Sequence, residues 1–157
     1  MKKTVVCILI IAMLATCLTF FVSCSGKIEN GRYSYTGCDA EWVSEISGSQ
    51  KKKLAEIYGY ESKEDYISDK TKNVSEVFRG SSFVFNEDGT GEFWLVNEKA
   101  SFTWSQDGKR VDIDFKGKVV SAIFENTDFE ISSGDLIAKV HDVENQYALT
   151  VILIYEF

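Results

Sequence analysis

Phe83-Val84-Phe85-Asn86-Glu87-Asp88-Gly89-Thr90-Gly91-Glu92-Phe93 decides how this 157-residue chain folds. Phe83 and Phe85 repeat every second residue, Asn86 to Thr90 supplies turn chemistry, and Phe93 and Leu95 resume the alternation. Successive side chains of an extended chain point to opposite faces, so a period of two gathers these rings on one dry face. The pattern continues C-terminally. A turn at Asn97-Glu98-Lys99 leads into Ala100, Phe102 and Trp104, which alternate with Ser101, Thr103 and Ser105. Asp107-Gly108 is a hairpin signal, because both central residues of a type I′ turn need positive φ. Val111, Ile113 and Phe115 then alternate with Arg110, Asp112 and Asp114. Further strands are expected at Val119 to Glu125, Asp128 to Ser132, Leu136 to His141 and Gln146 to Phe157. In the last of these, Tyr147, Leu149, Val151, Leu153, Tyr155 and Phe157 share one face while Ile152 and Ile154 share the other, so both sides should be covered.

N-terminal to this region, Gly31 to Thr36 reads as a first strand with Tyr33 and Tyr35 on one face. Ser49 to Lys72 differs in character. Leu54, Ile57 and Tyr58 recur at helical spacing before Gly59, a helix stop, and Ser62-Lys63-Glu64-Asp65 is a capping-box start with Tyr66 and Ile67 behind it to pack. The expected fold is mainly β: an antiparallel up-and-down meander of about eight or nine strands, with two short helices inserted after strand 1. Closing into a barrel removes the two exposed edges of such a meander; a strongly curved sheet is the alternative. The helices are expected over the outer face of the last strand or across one barrel end, and the Gly59 break makes them a hypothetical gate.

Gly31-Arg32-Tyr33-Ser34-Tyr35-Thr36, Phe83-x-Phe85-Asn86-x-Asp88-Gly89-Thr90-Gly91-x-Phe93 and Phe102-x-Trp104-x-x-Asp107-Gly108 together resemble the lipocalin-like domains of small bacterial lipoproteins. The resemblance spans most of residues 31–157 and rests on strand and turn signals, so it implies architecture and little about function. In a barrel of this kind the inward aromatics Tyr33, Tyr35, Phe83, Phe85, Phe102 and Trp104 are the expected lining for a small apolar or amphiphilic ligand. An eight-stranded barrel is only just wide enough to hold side chains, so the competing expectation is that rings fill it. A filled barrel would instead dock a protein or glycan partner on its outer surface; Trp94, out of phase with Phe93 and Leu95, is expected either to face outward in such a patch or to pack beneath the helices.

The first 23 residues have another purpose. Lys2 and Lys3 precede an uncharged run with an apolar centre from Val5 to Val22, the layout of an export signal. Phe21-Val22-Ser23-Cys24 resembles a bacterial lipobox, which implies cleavage before Cys24 and a diacylglycerol on its sulfur. Leu14-Ala15-Thr16-Cys17 is a second candidate; cutting there would leave Leu18, Phe20, Phe21 and Val22 uncovered on the mature chain. The expected organisation is a signal peptide over 1–23, a lipidated tether over 24–30 and a lipocalin-like β domain over 31–157. Its place is extracytoplasmic, at the cell membrane or outer membrane, held by two or three acyl chains that contribute about 0.8 kcal/mol per buried methylene.

Catalysis and cofactors find no support in the residues. A single His141 excludes any site that needs two imidazoles, and Cys38 is the only thiol left once the leader and the lipidated Cys24 are set aside. Nucleotide-binding glycine loops and a nucleophile elbow are absent. His141 and Asp142 are adjacent on a strand and point to opposite faces, which misplaces them as a base and its orienter. Asp107, Asp112 and Asp114 read as a solvated face rather than a calcium site, and Lys51, Lys52 and Lys53 as a solvated helix face rather than a membrane-docking patch. With 17 basic against 24 acidic residues, the chain is a poor match for nucleic acid. The expected function is non-catalytic binding at the envelope, without a cofactor. Metabolic palmitate labelling should be present in the wild type and absent in Cys24→Ala. A Cys24–Cys38 disulfide in the purified wild type would contradict the anchor.

Overall fold

The computed structural model describes residues 26–141 and 149–157. Cys24, the leader, Asp142 and Tyr147 lie outside the described residues. Eight antiparallel strands follow in order: β1 (Gly31–Trp42), β2 (Ser82–Phe85), β3 (Thr90–Leu95), β4 (Glu98–Asp107), β5 (Arg110–Lys116), β6 (Thr127–Ser132), β7 (Asp135–His141) and β8 (Leu149–Glu156). Each pairs with the next, and β1 pairs with β8, so the sheet is a closed barrel. Three helices accompany it: α1 (Gly48–Ile57) and α2 (Lys63–Phe78) between β1 and β2, and α3 (Lys118–Ile123) between β5 and β6.

The period-two reading holds through β2 to β5. Phe83 stands opposite Phe93, Phe93 opposite Ala100, and Phe102 opposite both Gly91 and Phe115, so one face of four strands carries rings inward. Gly91 is a steric requirement: a Cβ there would run into the Phe102 ring and the Val84 carbonyl. The β2–β3 turn is stapled by the Asp88 carboxylate, which accepts from Thr90 N at 3.0 Å and Thr90 Oγ1 at 2.6 Å, and Gly89 supplies φ +78°.

β1 continues well past Thr36, and a bulge explains why its pattern hides this. Tyr35 pairs with Tyr155 but Gly37 already pairs with Ile154, so Thr36 is an extra residue. Beyond it the inward phase changes from Tyr33 and Tyr35 to Cys38, Ala40 and Trp42, opposite Leu153, Val151 and Leu149. Leu149, Val151, Leu153 and Tyr155 are buried as expected, whereas Phe157 lies beyond the strand and is exposed, with its ring edge against Tyr33 at 5.2 Å.

Val119 to Glu125 is not a strand. Lys118–Ile123 is helical, and Val120 and Phe124, four apart, bury one side while Val119 faces solvent. Its β-branched residues suggested extension, but their spacing suits one helical face. The strand count is therefore eight. β5 and β6 pair only at Arg110–Glu130 and Val111–Phe129, and α3 spans the gap where they diverge.

Helix α2 runs past the expected Lys72 to Phe78, because Val74 and Phe78 continue its apolar stripe into the main core. Ser62 caps it, accepting from Asp65 N at 3.0 Å. Ala55 of α1 and Tyr66 of α2 pack with Leu149 and Trp42, which are inward residues of β8 and β1. The helices thus close one end of the barrel. For α2 to act as a gate it would have to withdraw Tyr66 and Phe78, both buried, from that packing.

Residues 26–30, expected as tether, lie against the opposite end. Ile28 is buried in the main core, its N–H donates to Gln106 Oε1 at 2.8 Å, and Gln106 Nε2 donates to the Gly26 carbonyl. At about 3.3 Å per residue β1 carries the chain roughly 40 Å from there to the helices. Gly91→Ala should lower stability by about 1–3 kcal/mol in urea unfolding. An unchanged midpoint would contradict the β3–β4 register.

Candidate functional site

The barrel interior is occupied by the protein itself. Phe83 is fully buried and lies within 6.2 Å, centroid to centroid, of Phe85, Phe93, Phe102, Phe115, Phe124, Phe129 and Tyr155. Most of these pairs are tilted or edge-to-face, the geometries that aromatic quadrupoles favour. Two polar ends within the core have partners: Glu29 N donates to Tyr33 Oη at 2.8 Å, and Ser81 Oγ and Tyr155 Oη are 3.1 Å apart. Burial pushes the Tyr155 hydroxyl well up, so it stays a neutral hydrogen-bonding group.

Of the six aromatics expected to line a cavity, Tyr33, Phe83, Phe85 and Phe102 are fully buried among other rings. Tyr35 packs its ring against Tyr155 at 5.7 Å, and burial raises its hydroxyl beside Ser75 and Cys38. Trp104 is partly exposed: it meets Phe85 edge-on at 5.3 Å, donates from Nε1 to the Thr90 carbonyl at 3.1 Å, and lines a surface cleft.

That cleft, of about 500 Å³, opens where β5 and β6 diverge. Its floor is Phe124, Phe129 and Ile113, and its rim carries Asp112, Asp114 and Asp128. Each of these acids has a partner: Arg110 at 2.8 Å from Asp112, Lys116 at 2.6 Å from Asp114, and His141 Nε2 at 3.0 Å from Asp128. His141 thus meets an acid across the sheet, from β7 to Asp128 on β6; the adjacent Asp142, considered from the sequence, lies outside the described residues. His141 Nδ1 also lies 3.3 Å from Thr150 Oγ1. No group of three or more His, Cys, Asp or Glu able to hold a metal occurs among the described residues.

Two further recesses flank α2 at the helix-capped end. One, of about 650 Å³, runs between β1 and α2 with Trp42 and Ile67 as apolar walls and Lys51, Lys63 and Lys72 around it. Lys51 Nζ sits 5.9 Å from the Trp42 ring. Cys38 is half-buried here. The second, of about 460 Å³, is bounded by Tyr58, Tyr60, Tyr66, Asp69 and Asn73. Tyr58 was expected in the packed stripe of α1, yet it is 48% exposed; the sequence signal for it is the Tyr58-x-Tyr60 pair beside Asp69 and Asn73, four apart on α2. Of the two placements open to Trp94, the outward one is found, with Lys99 Nζ 4.7 Å from its ring. Among the described residues no helix is long and apolar enough to cross a membrane.

No protein-family model matches the chain, and no curated protein matches it. Among solved structures, a DUF4847 family protein from Bacteroides vulgatus is similar at 15% identity and a TM-score of 0.44, over 79% of this chain and 91% of that one.

Burial, aided by the Asp39 carboxylate, pushes the Cys38 thiol up to about 11 from an ordinary 9. The folded state disfavours the thiolate, so alkylation by iodoacetamide should be slow at pH 8 and rise steeply only as pH nears 11. By the same linkage, stability that is intact below pH 9 falls as pH climbs through that window. Rapid alkylation at pH 8 would contradict this burial.

Proposed function

We propose that this chain is a lipid-anchored envelope protein whose lipocalin-like barrel is a solid scaffold for non-catalytic binding at its helix-capped end. The packing of Phe83 among its ring neighbours carries the reading, because a barrel filled by its own side chains has no room for a ligand inside. Binding then falls to the outside, and the arrangement of the ends favours the helices. Residues 26–30 are fastened to the opposite end, so an anchor at Cys24 holds that end toward the membrane and presents Trp42, Tyr58 and Tyr60 away from it. The same placement sets Lys51, Lys52 and Lys53 far from the anchored surface, with Lys51 beside the Trp42 ring and Lys52 3.8 Å from Glu56.

A small amphiphile is the second reading, and the β1–α2 groove favours it. Its apolar walls and its lysines would take an apolar body and an acidic head.

Xenon enters apolar voids and finds no site in a close-packed core. Xenon NMR titration should therefore show no saturable interior site in the wild type and a new one in Phe83→Ala, which should also lose about 3–5 kcal/mol of stability. A saturable wild-type site with shifts confined to Phe83, Phe102 and Leu153 would overturn the solid-scaffold reading.

A further inference from the structure

We propose that the shelf formed by Tyr58, Tyr60, Asp69 and Asn73 is a binding subsite for a neutral sugar ring. The inference rests on the outside-binding reading above and gives it a ligand class.

A pyranose ring has two faces of C–H bonds and a rim of hydroxyls that both donate and accept. A site for it needs a flat, rigid aromatic face with acceptors and donors fixed beside its edge. The shelf has both. Tyr58 lies parallel to Tyr66, with centroids 5.5 Å apart and planes 15° apart, and the residue is 48% exposed. Tyr66 is itself 1% exposed and pinned by Trp42 at 5.7 Å and Tyr60 at 5.2 Å. The exposed ring is therefore held by buried ones, and stacking on it costs little further ordering.

The polar edge is equally fixed. Asp69 Oδ2 accepts from Tyr60 Oη at 2.5 Å and from Asn73 Nδ2 at 2.8 Å. Both donors converge on Oδ2, so the other acceptors on this edge are Asp69 Oδ1 and the amide oxygen of Asn73. These are acceptors for hydroxyl groups, and the second N–H of Asn73 is a donor. Hydrogen bonds to an ionised carboxylate are the stronger kind.

Charge selects within the class. The chain carries a formal charge of −7, which disfavours acidic glycans, and the recess itself carries one charge of each sign, Asp69 and Lys70. An extended apolar ligand is a poorer match, since it would bury the Asp69 and Asn73 acceptors without partners.

The test is saturation-transfer NMR on the full-length chain, held in a detergent without a sugar headgroup, against soluble neutral oligosaccharides of glucose, mannose, xylose and galactose. At least one should give saturable transfer to its ring C–H protons. Tyr58→Ala should weaken it at least roughly tenfold with the unfolding midpoint little changed, because the ring is half exposed. Tyr58→Phe should retain it, since the ring face and not the hydroxyl makes the contact. Asp69→Asn should weaken it while Lys52→Ala leaves it unaltered. No transfer from any of the four, or transfer insensitive to Tyr58→Ala and Asp69→Asn, overturns the subsite. Either result leaves the xenon readout intact, so failure of the shelf and failure of the solid scaffold are told apart.

Discussion

The limited width of an eight-stranded barrel governs everything else in this protein. Such a barrel encloses little more space than its own inward side chains occupy. Here many of those side chains are aromatic, and Phe83 of β2 is the ring on which β3, β4, β5, β6 and β8 converge through Phe93, Phe102, Phe115, Phe129 and Tyr155. Large rings on neighbouring strands would collide unless something small stood between them. Gly91 and Ala100 provide that relief, lying opposite Phe102 and Phe93. Size alternation across strands is thus the device that lets the barrel close around rings.

Closure has consequences at both ends. At the N-terminal end Ile28 and the Gln106 hydrogen bonds fold residues 26–30, expected as tether, onto the barrel. At the other end the bulge at Thr36 turns Cys38, Ala40 and Trp42 inward on a stretch of β1 that β2 is too short to cover. Helices α1 and α2 supply the missing cover with Ala55, Tyr66 and Phe78. Their insertion is a structural answer to unequal strand lengths, and the grooves beside α2 are its by-product.

The β2 to β5 region was legible because period two, a turn at Asp88-Gly89 and a hairpin at Asp107-Gly108 all agree. Legibility failed where local pattern and tertiary need part company. One extra residue at Thr36 flips the phase of β1, and its mark in the sequence, Gly37, reads equally well as the end of a strand. Val119 to Phe124 has strand-like residues at helix-like spacing, and only the divergence of β5 from β6 decides between them. For the candidate site, Trp104 and Tyr58 show the same limit. Periodicity predicts which face a ring occupies; whether that face is filled, capped or open depends on neighbours distant in sequence.

The account stands or falls on the barrel being full in the protein as its own cells make it. A crystal structure at high resolution of the protein purified from those cells measures this directly. The rings of Phe83, Phe93 and Phe102 should be in van der Waals contact with no density between them and Leu153. A continuous, elongated feature along the barrel axis, with those rings pushed to the wall, would contradict it.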